Sequence, residues 1–295
     1  MLRVLLGGTA LVCGLALTAC GGSSNAPTAG RSPSSPPPST QTLYAVEQIT
    51  SSTGTVESVT AIPLGSGTPS MIGPLPGQLV AAVSRDGLGT LYLEQRVGNS
   101  DTMYVYSSGS SVSTRSFTIY PHLGPVRFVL DASNHLYMPT GSTNQIDVYD
   151  ATTGAISSTH ASPINDPFAI DIAPDGTTYI AGHSPEVVAV IPSGATAPAE
   201  TIAISNGTPR AIAVDASDRL FVVTGLTESG NLQVFLSGQT SPVVTIVENG
   251  PTGVAVDASQ NVYVSVATAI DVYGPAAMAA LNAIPTADFP SDIAI

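Results

Sequence analysis

From residue 42 onward, apolar residues come in short runs separated by clusters of Asp, Asn, Gly, Ser and Pro, and no run shows the 3.6-residue period of a helix. Short strands joined by tight turns are the elements this pattern predicts. One phrase then recurs. Pro125-Val-Arg-Phe-Val-Leu-Asp-Ala-Ser133, Pro167-Phe-Ala-Ile-Asp-Ile-Ala-Pro-Asp175, Pro209-Arg-Ala-Ile-Ala-Val-Asp-Ala-Ser217 and Pro251-Thr-Gly-Val-Ala-Val-Asp-Ala-Ser259 are spaced 42 residues apart. Twelve residues after each proline stands an aromatic, Tyr137, Tyr179, Phe221 or Tyr263. A third apolar run follows at 145–149, 187–190, 231–235 and 269–273, and a weaker fourth comes after a turn. A period of this size marks a propeller or solenoid unit, and four short strands make one antiparallel blade.

The first strand of each unit alternates small and large apolar residues, as in Ala211, Ile212, Ala213 and Val214, with neither face polar. Such a strand is covered on both sides, large residues of one blade filling the space left by small residues of the next. The two ends of the repeat region are complementary: Leu43-Tyr-Ala-Val46 matches a second strand, whereas Pro290-Ser-Asp-Ile-Ala-Ile295 matches a first strand and stops. First strands at 79–84, 126–131, 168–173, 210–215, 252–257 and 291–295 therefore predict an all-β, six-bladed propeller of four-stranded antiparallel blades. Its ring is closed by pairing the C-terminal strand with the N-terminal strands, which removes open sheet edges.

On these residues, and above all on Pro251-Thr-Gly-Val-Ala-Val-Asp-Ala-Ser-Gln-Asn-Val-Tyr-Val264, the chain resembles NHL repeats, and 42–295 is similar to the six-bladed NHL and gluconolactonase-like propellers. A Trp-Asp type of repeat is excluded in a chain with no tryptophan. The basic residue that many NHL repeats place before the third strand is replaced here by Gln145. The resemblance implies a scaffold and not a reaction, because such propellers include hydrolases, lyases and binding modules.

Ahead of the propeller, Arg3 followed by an apolar run from Val4 to Leu17 has the layout of an export signal, too short to span a bilayer. Its ending, Leu17-Thr18-Ala19-Cys20, resembles the lipobox of bacterial lipoproteins, which implies acylation of Cys20 after removal of residues 1–19. Residues 20–41 are rich in Ser, Thr, Gly and Pro and read as a tether. The expected location is the cell envelope, exported and held on a membrane by the lipid alone. Cys13 lies in the discarded segment, so no disulfide is expected.

Composition narrows the chemistry. All 8 basic residues are arginine, which excludes Schiff-base catalysis and a lysine-type phosphate loop. A net charge of −13 argues against nucleic acid as a partner. In propellers of this kind the loops joining second to third and fourth to first strands share one face, the usual ligand face. That sorting places Glu47, Glu94, Asp101, Asp166, Glu186, Glu228, Glu248 and Asp288 there, with Arg96, His122, Asn165, His183 and Asn249. Either these acids merely keep the protein soluble, or they take a divalent cation such as calcium or a cationic ligand. By analogy with gluconolactonase-like enzymes, Asn165, Asp166, Glu248 and Asn249 are the candidate metal ligands.

On the first strands, Arg127 and Asp292 occupy the position held by Ala169, Ala211 and Gly253, and Asp171 that of Ala213 and Ala255. Charges in a small apolar layer must be paired or solvated. Arg127 and Asp171 belong to neighbouring blades, so an ion pair between them is expected; the other reading is a wet channel where Arg127, Asp171, Asp292, His183 and Arg96 meet a ligand. Asp131, Asp215 and Asp257 each precede a tight turn and are expected to bond its backbone. His122, His135, His160 and His183 lack the spacing of a zinc site, and no Gly-x-Ser-x-Gly elbow occurs. The function these features favour is a non-enzymatic binding or scaffolding module for an envelope protein, glycan or small ligand. The alternative is a cation-dependent lactonase, esterase or lyase at the acidic face.

Overall fold

A computed structural model describes residues 41–295 apart from 52–53, 66, 73–74, 76–78, 86–87, 98–99, 121–125, 226–228 and 276–279. The export signal, Cys20, and the tether up to residue 40 lie outside the described residues, as do His122 and Glu228.

The chain opens with three strands, β1 (Thr42–Ser51), β2 (Gly54–Pro63) and β3 (Ser70–Ile72). Five four-stranded blades follow. Blade 1 is β4 (Leu79–Arg85), β5 (Leu91–Val97), β6 (Ser100–Tyr106) and β7 (Arg115–Ile119). Blade 2 is β8 (Val129–Leu130), β9 (His135–Thr140), β10 (Gln145–Asp150) and β11 (Ile156–Ala161). Blade 3 is β12 (Pro167–Ile172), β13 (Thr178–His183), β14 (Glu186–Ile191) and β15 (Glu200–Ala203). Blade 4 is β16 (Pro209–Val214), β17 (Leu220–Gly225), β18 (Gly230–Phe235) and β19 (Val244–Glu248). Blade 5 is β20 (Gly253–Val256), β21 (Val262–Val266), β22 (Ala269–Tyr273) and β23 (Ala280–Pro285). The last strand, β24 (Phe289–Ala294), pairs antiparallel with β1 and completes blade 6 in the order β24-β1-β2-β3. Consecutive innermost strands touch all the way round, so the six blades form the predicted closed ring.

Packing explains the small-large alternation. Ala211 and Ala213 of β16 face blade 5, in one cluster with Val254, Val262, Val264 and Val266. Ile212, pointing the other way, lies with Phe168, Ala169, Tyr179 and Val188 of blade 3. Each inner strand thus closes two interblade cores, and Phe221, Tyr179 and Tyr263 of the second strands are buried in them. The outermost strands bury little, as β23 and β11 show, which accounts for their faint sequence signal.

Two ends of the inner strands differ in construction. At the C-terminal end, Asp131, Asp215 and Asp257 act as expected of turn residues. Asp131 accepts the N–H groups of Ser133 and His135 (both 2.8 Å), and Asp215 those of Ser217 and Arg219 (both 2.9 Å). The fourth residue of each turn, Asn134, Asp218 or Gln260, adopts positive φ and donates its N–H back to the Asp carbonyl. Blade 3 has Ala173 there, and its turn instead places Gly176 at the positive-φ position (+87°), with Asp175 accepting from Thr177.

The other end departs from expectation in blade 2. The predicted first strand 126–131 shrinks to Val129–Leu130, and Arg127 pairs in parallel with Ala169 of blade 3 instead of with its own β9. The Arg127 N–H donates to the Phe168 carbonyl (2.7 Å), and the Arg127 carbonyl accepts from Ile170 (3.3 Å).

Candidate functional site

The described 2–3 and 4–1 loops open on one face, the mouth of the central channel, where the inner strands begin. Arg127 reaches from blade 2 across this channel. Its Nε lies 2.8 Å from the Asp292 carboxylate of blade 6, and its Nη2 donates to the carbonyls of Ser291 (2.7 Å) and of Thr252 in blade 5 (3.1 Å). Blade 5 stands opposite blade 2 in a six-membered ring, so one guanidinium ties both sides of the channel. The pair is nearly buried, at 15% and 3% side-chain exposure. Asp292 also accepts the N–H of Val83 in blade 1 (3.1 Å).

This corrects the expected pairing of Arg127 with Asp171. Asp171 accepts instead the N–H of its neighbour Ile172 (2.8 Å) and that of Val214 in blade 4 (2.7 Å). The two carboxylates do the same work, each stitching its blade to the next through a backbone donor. Burial pushes both up to about 6; in Asp292 the Arg127 charge opposes that rise.

Of the acids expected around an opening, Glu47, Glu94, Asp101 and Glu248 are instead buried inside their blades, whereas Glu186 is exposed and Asp166 and Asp288 are half-buried. Glu47 accepts the Thr60 hydroxyl (2.7 Å) and the Ala287 N–H (3.2 Å), and Glu248 accepts the Tyr273 hydroxyl. Arg96 binds Asp101 through two bonds (2.7 and 2.9 Å) and touches Glu94 at 3.4 Å, so it serves this buried acidic pair. Burial, with the Asp101 charge adding to it, pushes the Glu94 carboxyl up to about 8; burial raises Glu248 to about 7.

The four candidate metal ligands are not gathered together. Asn165 is exposed and Asp166, at φ +49°, is fixed by a bond from its N–H to Asn144 (2.7 Å), whereas Glu248 is buried beside Tyr273 two blades away, next to Asn249. Among the described residues no three His, Cys, Asp or Glu side chains converge as metal ligands. These four residues therefore do not fit a calcium centre of the gluconolactonase-like kind. His183 has a local role: its ring stacks on Phe168 (centroids 4.0 Å apart), with Nδ1 3.4 Å from Asp166 and Nε2 3.2 Å from the Pro209 carbonyl.

What the mouth offers is a cavity of about 220 Å³ at the junction of blades 4, 5 and 6, whose lining includes Arg210, Gly225, Ser229, Pro251, Thr252 and Phe289. Arg210 is exposed, and its Nε donates to the Gly225 carbonyl (3.1 Å). Arg210 and Phe289 escaped the sequence reading. The usable signal was the residue just after the repeated proline, which changes from Phe168 to Arg210 to Thr252 while its surroundings repeat.

With this geometry in hand, comparison with known proteins shows fold alone. No family model matches the chain, and no curated protein does. Among solved structures it is similar to a chain of a nidogen/laminin complex, with a TM-score of 0.65 and 15% identity over 86% of this chain and 98% of that one. It is also similar to a protein of unknown function from Bacteroides caccae (TM-score 0.63, 10% identity, 87% and 98% covered). A third likeness is to hydrazine synthase of Kuenenia stuttgartiensis (TM-score 0.53, 14% identity, 76% and 90% covered). The chain has a six-bladed β-propeller fold.

Proposed function

We propose that this protein is an exported, lipid-anchored propeller of the NHL-like type that works as a binding or scaffolding module of the cell envelope, with residues 1–19 removed, Cys20 acylated and 20–41 serving as tether. The observation that carries the binding reading is the use made of charge at the mouth. Arg127, Asp292, Arg96 and Asp101 are held in ties within and between blades, and the mouth carries a cavity walled by small residues, an aromatic and an arginine that is itself tied to Gly225. Tied charges make a rigid platform, and rigid platforms bind at low entropic cost. The lipobox-like Leu17-Thr18-Ala19-Cys20 supports the anchor.

The two cysteines of the chain both lie within its first 20 residues, so a single new thiol on the propeller reports one place. Full-length protein carrying Asn165→Cys at the mouth or Ala216→Cys on the opposite face would be cross-linked in intact cells, beside a Cys20→Ser control. The expected result is membrane association lost in the Cys20→Ser chain and a discrete adduct from position 165 alone. Adducts equal from both faces, or from neither, would overturn the mouth as the binding face.

A further inference from the structure

The packing repeat is broken at its turn end, where blade 6 meets blade 1. There a cavity of about 330 Å³ opens between the two blades, away from the mouth. We propose that it is a second binding site and that it takes an uncharged sugar ring. The site stands independently of the mouth as a binding face.

Its origin lies in one position of the repeat. Each blade pairs the aromatic of its second strand with a residue of its third. That residue is valine in blades 1 to 5: Val105 opposite Tyr92, Val148 opposite Tyr137, Val190 opposite Tyr179, Val234 opposite Phe221 and Val272 opposite Tyr263. In blade 6 it is Ala61, opposite Tyr44. The cavity reaches both Ala61 and Tyr44, and Met71 of β3, 49% exposed, borders it. Tyr44 is also without the bond its counterparts make. The Tyr137 and Tyr263 hydroxyls donate to Asp131 and Asp257 of their own blades (3.3 and 3.0 Å), whereas among the described residues the Tyr44 hydroxyl has no partner.

The lining has two layers and no charge among the described residues. Its base is the apolar core between the blades, with Tyr44, Ala61, Ile72, Leu91 and Tyr106 in one cluster. Its rim is hydroxylic. Ser110 donates its hydroxyl to the Val112 carbonyl (2.7 Å) and so fixes the turn after β6, which leaves the hydroxyls of Ser70, Ser107 and Ser111 on the exposed rim. Burial raises the Tyr106 phenol and Tyr104 adds to the rise, with no carboxylate contributing; Tyr137 and Tyr263 are raised by burial and by an aspartate as well. A cation therefore finds no counter-charge in this recess, and an anion is opposed by a chain of net charge −13. A sugar matches both layers: its C–H face covers the apolar base, and its hydroxyls exchange hydrogen bonds with groups that both donate and accept. The volume lies at the lower end of the roughly 300–1,000 Å³ of small-ligand pockets, which is room for a single ring.

The test is ligand-observed NMR titration of the full-length Cys20→Ser chain with the methyl glycosides of glucose, galactose and mannose and with N-acetylglucosamine. Glucuronate serves as the charged control, and cyclohexanol as a ring without the set of hydroxyls. At least one uncharged sugar is expected to saturate with a dissociation constant of ~10 mM or tighter, with glucuronate and cyclohexanol each at least about fivefold weaker. Ala61→Val installs the residue that the other five blades carry at this point and should weaken that sugar about tenfold or more. Tyr44→Phe removes one hydroxyl and should weaken it about fivefold. No saturation by any of the sugars, equal binding of cyclohexanol or glucuronate, or unchanged affinity in folded Ala61→Val would each overturn the assignment. The comparison of ligands on the unmutated site stands even if a variant fails to fold. Cross-linking at position 165 reads the opposite face, so a failure of either experiment leaves the other conclusion in place.

Discussion

The two ends of the inner strands solve the same problem in opposite ways. At the turn end, blades 2 and 4 repeat one local device, an aspartate accepting backbone N–H groups two and four residues ahead, and blade 5 keeps the bond four residues ahead. Toward the mouth the residues do not repeat, and the contacts are long-range, Arg127 to blades 5 and 6 and Asp292 to blade 1; Asp171, farther down its strand, breaks the repeat in the same way and reaches blade 4. The contrast teaches that in a repeat protein, what recurs closes a turn, whereas what breaks the repeat joins blades.

The contrast can be tested in order of size. Deleting Pro290 to Ile295 removes most of the closing strand and, with it, Asp292 and the Ser291 carbonyl; loss of soluble monomer is expected, seen by size-exclusion chromatography. A truncated chain that stays monomeric at unchanged melting temperature would break the long-range side of the comparison. Next, Arg127→Met leaves Asp292 buried with its charge uncompensated and should cost about 3–5 kcal/mol in denaturant unfolding. A double-mutant cycle with Asp292→Leu should show strong coupling, while one with Asp171→Asn should be additive to within ~0.5 kcal/mol.

At the turn end, Asp257→Ala strands the Asn261 N–H and the Tyr263 hydroxyl, and a smaller loss of about 1–3 kcal/mol is expected. If this variant costs more than Arg127→Met, the ranking of the two ends is reversed. The pH dependence is gentler still. Glu94, Glu248, Asp171 and Asp292 are raised by burial to about 8, 7, 6 and 6, so the folded protein keeps protons that the unfolded chain has released. Stability therefore falls as pH rises from about 4.5 toward 8. Asp131 works in the opposite sense: burial pushes it up, but the N–H groups of His135 and Ser133 prevail and hold it low, so its contribution is lost only in stronger acid. The melting temperature should be higher at pH 5 than at pH 8, and Glu94→Gln should flatten the upper part of that slope. A rising curve from 5 to 8 would contradict the burial of these acids.

Blade number, strand order and closure were legible because a 42-residue period and complementary ends are properties of the chain itself. The turn role of Asp131, Asp215 and Asp257 was legible for the same reason: its partners lie within six residues. The partner of Arg127 was not, because a side chain crossing the channel chooses by ring geometry, and blade 3 is nearer in sequence than blade 6. Nor was the burial of Glu47, Glu94 and Glu248 legible, since an acid at a strand end reads the same whether it turns outward or folds back beneath a hydroxyl such as Thr60 or Tyr273. The cavity was hidden because its lining comes from three blades and includes glycines, whose contribution is the side chain they lack.

The closing strand also sets a timetable. The Ser291 hydroxyl bonds the Val46 carbonyl, a partner 245 residues earlier, so β1 leaves the ribosome with its inner edge bare and keeps it bare until nearly the whole chain has followed. Pairings that distant are slow, and an unpaired edge invites other strands in the meantime. A chain built this way gains from being kept unfolded until synthesis is finished, and then folding as a whole.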